Sequence, residues 1–219
     1  MKAERLLETD VGLTKNPDEP QILIYHTHAS ETYADYGPQN TDADVVGAGT
    51  YLTELLRQRG WNVIHDTTAY DRKEGKLERS RAYTYALEGV QGILQTHPTI
   101  EDGVADSVRL TENINGKPTA QIMFFQGMSR TPEGEIAYLP NPHLQENLAF
   151  CFQMQLACGR YPGFTRKIYL KGLRYNLHLR GRSSLIEAGA QTNTKEAVWN
   201  AMELLAEVVD TVLDPVTQK

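Results

Sequence analysis

His26, His28 and Glu31 sit at the end of the run ILIYHTHASE, residues 22–31, where four apolar residues give way to two imidazoles and a carboxylate. Side chains two apart on a strand share a face, so His26 and His28 could turn toward one ion. Zinc takes imidazole nitrogen and carboxylate oxygen, and a catalytic zinc uses three protein ligands with a fourth position left for water. The spacing H-x-H-x-x-E therefore admits a metal site. It equally fits histidines that satisfy loop carbonyls where a strand ends.

Glu187 interrupts the apolar run SLIEAG, residues 184–189. A carboxylate is rarely buried without a partner. Beside an activated water such a group serves as general base and then returns the proton to a leaving amine. The competing reading is a structural ion pair with Arg180 or Arg182. Arg79 and Arg81 either face an anionic substrate or form a solvated helix surface. The segment with Arg174, Asn176 and His178 offers candidate substrate-binding residues at a cleft, and His178 a replacement metal ligand; a loop histidine is more often neither. No G-x-G-x-x-G or P-loop pattern is present, so nucleotide binding has no support.

The elements that must position these groups follow from periodicity. Residues 1–20 are polar, end in NPDEP and read as a linker, leaving residues 21–219 as the catalytic domain. Residues 21–25 form a continuous apolar run of the kind found in parallel sheets covered on both faces. Val45, Ala48, Gly49, Leu52, Leu55 and Leu56 mark a helix closed by Gly60. A strand at 61–65 follows, then a helix along Ala82, Ala86, Gly89, Val90, Ile93 and Leu94 that Pro98 ends. The alternation then predicts a third parallel strand, but residues 99–106 (TIEDGVAD) hold no sustained apolar run. Residues 108–114 and 119–125 flank Asn115-Gly116, a type I′ hairpin signal. A helix along Leu144, Leu148, Cys151, Phe152 and Leu156, strands at 167–171 and 184–189, and a helix opened by Asn193 and Glu196 complete the chain. The expected fold is α/β, a mainly parallel sheet flanked by helices with an added β-hairpin. In such sheets ligands bind beyond the carboxyl ends of strands, where His28 and Glu187 both fall.

Composition narrows the function classes. With 40% hydrophobic and 23% charged residues the chain belongs with folded globular proteins. A net charge of −6 and the lack of a dense Lys/Arg block argue against nucleic-acid binding. No apolar run approaches the ~20 residues that span a bilayer. Cys151 and Cys158, seven apart on one helix, stand ~10 Å apart along its axis, too far for a disulfide.

Four segments carry a family resemblance: YHTHASETY (25–33), INGKPTAQIMF (114–124), YPGFTRKIYLKGLRYN (161–176) and SLIEAGAQTNTKEA (184–197). Together they resemble stage II sporulation protein P, a family of cell-wall hydrolases related to zinc-dependent N-acetylmuramoyl-L-alanine amidases. The resemblance implies an amidase-like fold, peptidoglycan as substrate and zinc as cofactor. It also implies a lytic transglycosylase as partner during engulfment, and a location in the intermembrane space behind an N-terminal membrane anchor, a segment not expected within residues 1–219. It puts the first zinc histidine in YHTH, where His28 is favoured because it lies further beyond the strand and His26 stays a further candidate ligand; it makes Glu31 a second ligand or an acid beside the metal, and Glu187 the catalytic glutamate. It further leads one to expect a buried strand ending in Asp-x-His-Arg-Asp between the second helix and the hairpin. Residues 98–106 do not contain it, so that strand and its histidine are expected to be missing, or the ligand replaced by His178 or His97.

Overall fold

The structure is a computed structural model that describes residues 2–97, the backbone of 101–105, and residues 111–214. In chain order it contains α1 (Ala3–Glu8), β1 (Ile22–Tyr25), α2 (Val45–Gln58), β2 (Val63–Asp66), the short strands β3 (Arg72–Lys73) and β4 (Lys76–Leu77), and α3 (Ala82–Thr96). Next come β5 (Glu101–Ala105), β6 (Thr111–Ile114), β7 (Lys117–Ala120), β8 (Ile122–Gly127), β9 (Arg130–Thr131) and β10 (Gly134–Glu135). The last elements are α4 (Leu144–Ala157), β11 (Tyr169–Lys171), β12 (Ser184–Ala188) and α5 (Lys195–Leu213).

Six strands form one sheet in the order β11-β8-β12-β5-β1-β2. Within it the β1–β2, β1–β5, β12–β5 and β11–β8 pairings are parallel and β8–β12 is antiparallel. The three two-stranded ribbons among the described residues are all antiparallel, so the molecule as a whole is a mixed α/β fold.

β5 fills the gap that the sequence left open. Its residues Glu-Asp-Gly-Val-Ala have little strand propensity, yet the backbone pairs with β1 on one side and β12 on the other, aligning Tyr25, Val104 and Leu185 in one row. The central strand is therefore present, its backbone paired on both sides. Pro98, Asp106 and Val108, on which other expectations rested, lie outside the described residues.

Side-chain alternation divides the core in two. Ile22 and Ile24 of β1 face Ala48, Leu52 and Leu56 of α2 and Met202 and Leu205 of α5. Leu23 and Tyr25 face the other way, toward Ala86, Val90 and Leu94 of α3, joined by Phe125 of β8 and Leu185 of β12. Asp44 caps α2 by accepting from the Gly47 N–H at 2.7 Å, and Gly60 closes that helix at φ 89°. Asn115 and Gly116, at φ 54° and 81°, make the left-handed pair a type I′ hairpin needs between β6 and β7. The run 119–125, expected as one strand, is two: it breaks at Gln121, with β7 in the hairpin and β8 in the main sheet.

Residues 2–20, expected as a linker, are held against the domain. The Gln153 side chain donates to the carbonyls of Leu6 and Thr9 at 2.9 Å, Val11 is buried, and Lys15 pairs with Asp210 and Asp214 at 2.9 Å. α5 is capped by Thr194, whose hydroxyl accepts from the Ala197 N–H. Asn193, expected in that role, instead ties the preceding loop to Thr111 and to the Ala190 N–H. Cys151 and Cys158 are both free and buried, and burial pushes their thiols up to about 12.

Candidate functional site at the carboxyl edge of the sheet

Past Tyr25 the chain leaves the sheet and turns at residues 27–30. The turn is pinned by Asp71, whose carboxylate accepts from the Ser30 N–H at 3.0 Å and from the Ser30 hydroxyl. The Glu31 N–H then donates to the His28 carbonyl at 3.1 Å, and the Glu31 carbonyl accepts from Val45 at the start of α2. His28 is thereby presented beyond the strand, on the side of α3: its ring packs edge-on against Tyr83, with centroids 5.9 Å apart. Its Nδ1 stands 3.7 Å from Glu31 Oε1. The Glu31 side chain is 6% exposed, and Arg79 forms an ion pair with it from the turn before α3. Arg79 is thus neither a free surface charge nor turned outward to a ligand; it holds the carboxylate beside His28.

His26 does not join this group. It continues the alternation of Ile22 and Ile24, so it turns into the opposite face of the sheet, toward α2. There it is 1% exposed and its Nε2 lies 2.8 Å from the Nε2 of His65. Burial, reinforced by the neighbouring His65, pushes its pKa down to about 3, so it is neutral at physiological pH. The expectation that both histidines share a face assumed that the strand runs on through residue 28, and the turn at Thr27 prevents that. His65 was not singled out from the sequence; a histidine in a strand facing a helix glycine was the available signal.

Glu187 follows Leu185 by two residues on β12 and so projects from the same face, the one covered by α3, opposite Met123 in the β8 register. His28 and Glu187 therefore lie on one face and at one edge of the sheet. A run of rings lines that face: His28 on Tyr83, Tyr83 on Tyr175 at 5.3 Å, and Tyr175 on Phe125 at 4.7 Å. Asn176 reinforces it by donating from its side chain to the Tyr83 carbonyl at 2.8 Å. Tyr175 and Asn176 are both left-handed, at φ 51° and 63°. Arg174 donates to the Pro140 carbonyl at 3.2 Å, and Arg180 to the Leu94 carbonyl at 3.3 Å. His178 is partly buried, and burial together with Arg174 and His143 pushes its pKa down to about 4. His97 caps the far end of α3, away from His28.

The donor types fit zinc, but the set is short. His28 and Glu31 give one imidazole and one carboxylate, His26 is turned away, and neither His97 nor His178 is placed at His28. Among the described residues no group of three or more His, Cys, Asp or Glu side chains gathers to hold a metal ion. A catalytic zinc needs three protein ligands, so the described residues supply a partial site.

Mixed α/β architecture with polar groups gathered beyond parallel strand ends defines a ligand-binding class of fold. The family model for stage II sporulation protein P matches residues 2–210, and the chain belongs to that family. The stage II sporulation protein P of Bacillus subtilis (strain 168) is 25% identical over 213 residues, covering 87% of this chain and 50% of that protein. The chain thus spans about half the length of that relative. Among solved structures it is similar to the N-acetylmuramoyl-L-alanine amidase AmiC2 of Nostoc punctiforme, at 12% identity and a TM-score of 0.46 over 92% of this chain and 99% of that one. It is also similar to a metallo-carboxypeptidase from Burkholderia cenocepacia, at 12% identity and a TM-score of 0.43 over 91% of this chain and 60% of that one.

Proposed function

We propose that this protein is a peptidoglycan hydrolase of the sporulating cell that cleaves the amide between N-acetylmuramic acid and the L-alanine of the stem peptide. The observation that carries the reading is the placement of His28, with Glu31 beside it, and Glu187 on one face and one edge of the sheet in a member of this family. In this reading Glu187 takes a proton from the attacking water and delivers it to the departing alanine nitrogen. Its half-buried position on a strand holds that carboxylate rigidly against the scissile bond. His28 and Glu31 are the residues that would hold zinc, which supplies Lewis acidity and a water of pKa near ~7 when bound. Asn176, Arg174 and His178 form the flank on which the stem peptide rests. The intermembrane space is the proposed location, with a lytic transglycosylase as partner that prepares the glycan strand. Among the described residues no helix is long and apolar enough to cross a membrane.

The test is release of soluble muropeptides from purified sacculi, with and without chelator, the products being identified by mass spectrometry. Free stem peptides beginning with L-alanine, lost on chelation and restored by zinc, are the expected result. Chelator-resistant cleavage would remove zinc from the mechanism, and cross-link fragments alone would make the enzyme an endopeptidase. A second reading has its own observation: Glu31 is engaged by Arg79 and the described ligand set is partial. On that reading the chain is a wall-binding or partner-binding module without hydrolysis. Purified protein that binds sacculi, carries no zinc and releases nothing would establish it.

A further inference from the structure

The charge of this chain is unevenly spread. Residues 147–186 contain seven Lys and Arg and no Asp or Glu, leaving 15 basic residues against all 28 acidic ones elsewhere. This stretch includes β11, the edge strand of the sheet, whose Tyr169 and Leu170 are 42% and 51% exposed. Lys171 sits over the Tyr169 ring at 5.1 Å from its centroid. The same ring packs on Phe125 at 5.5 Å, and Phe125 on Tyr175, so the ladder that starts at His28 runs out to this edge. Nearby, Arg174 bonds Pro140, two residues from Tyr138, which is 81% exposed. Among the described residues no carboxylate lies within ion-pair distance of Lys167, Lys171 or Arg174, whereas Lys117, Arg130 and Arg160 each have one.

We propose that this edge is a binding subsite for a carboxylate-bearing glycan–peptide strand, a sugar ring stacking on Tyr169 and peptide carboxylates meeting Lys171 and Arg174. Pyranose faces pack on exposed aromatic rings, and a guanidinium or ammonium without an acidic neighbour is available to an anion. The arrangement also answers a problem of long-range charge. A protein of net charge −6 is repelled by a polyanionic wall unless one patch of the opposite sign turns toward it. The ring ladder fixes which way a strand held at the edge would lead: along the α3 face to His28. The subsite rests on the hydrolase reading for the identity of its ligand, but not on the chemistry of Glu187.

Binding and cleavage can be separated. In a Glu187→Gln background, cosedimentation with purified sacculi stripped of phosphate polymers measures binding alone. Lys171→Glu with Arg174→Glu is expected to lower the bound fraction at least about fivefold at low salt, and Tyr169→Ala about two- to fivefold, with the charge effect fading as the Debye length shrinks. Lys117→Glu, whose native partner is Glu203, serves as the control and should bind as the parent does. Where Arg174→Glu disturbs its loop, Lys167→Glu with Lys171→Glu carries the same test. Unchanged binding in both charge-reversed variants overturns the subsite. A loss seen only with unstripped walls overturns it too, in favour of a phosphate polymer as the anion. Sacculi binding that depends on these residues in a chain that never cleaves supports the subsite while the hydrolase reading falls.

Discussion

The two faces of the central sheet are built by the same alternation and put to opposite use. Toward α2 and α5 the sheet is sealed: Leu56, Met154 and Leu205 are almost fully buried, and even His26 there is held neutral against His65. Toward α3 the interior is just as buried at Leu23, Tyr25 and Val90, but beyond the strand ends it opens beside a run of aromatic rings, where His28 stands next to Glu31 and its partner Arg79, with Glu187 on the same face. His26 and His28 differ by two positions and fall on different sides because the chain turns between them. Proximity in sequence decides less than which face a residue inherits.

The largest effect should come from Glu187→Gln on the open face. Hydrolysis of sacculi should fall about 10²- to 10⁴-fold, the range for loss of a general base, while the thermal midpoint stays put. Undiminished turnover would break the contrast between a working face and a structural one. On the sealed face, Gly49→Ala should act through stability instead. A Cβ there would come within 2.5 Å of the His26 ring and 2.9 Å of His65 Nε2, so urea denaturation should show a loss of about 1–3 kcal/mol. A neutral result would mean that the His26–His65 pair is not fixed against α2.

Smaller effects sharpen the picture. Thr194→Ala removes the cap of α5, a helix that serves only the sealed face, and should cost about 1 kcal/mol in the same assay with little change in wall binding. His178 gives a pH signature on the open side. Its folded pKa, about 4, lies below the ordinary value of 6.5, so the unfolded chain binds the extra proton first. The associated stability is complete above about pH 6.5 and drains away as pH falls toward 4. His178→Asn should flatten the thermal midpoint between pH 7 and pH 4; a profile identical to the parent would show that this ring is solvated in the folded state.

Much of the scaffold was legible because its signals are local. Asn115-Gly116 gave the hairpin, Gly60 the end of α2, and the glutamate inside an apolar run the position of Glu187. β5 was not legible, since residues 101–105 carry no apolar pattern and the strand exists through pairing on both sides. The site was readable in part. His28, Glu31 and Glu187 stand at the edge where strand ends predicted them, but nothing in the spacing told that Arg79 would hold Glu31 or that His26 would face α2. Arg79 reaches Glu31 from 48 positions along the chain, which spacing cannot encode, and His26 and His28 part at a turn at Thr27 that the residue pattern does not mark.

The Leu13 N–H donates to the Leu213 carbonyl at 2.7 Å. The Trp61 indole, just ahead of β2, donates to Asp210 at 2.8 Å, so the close of α5 and the approach to β1 both lie at the bottom of the sheet. Both ends of the described fold are thus tied at the pole of the sheet opposite the strand ends that carry His28 and Glu187, so a change at this junction reaches them only through the length of the strands.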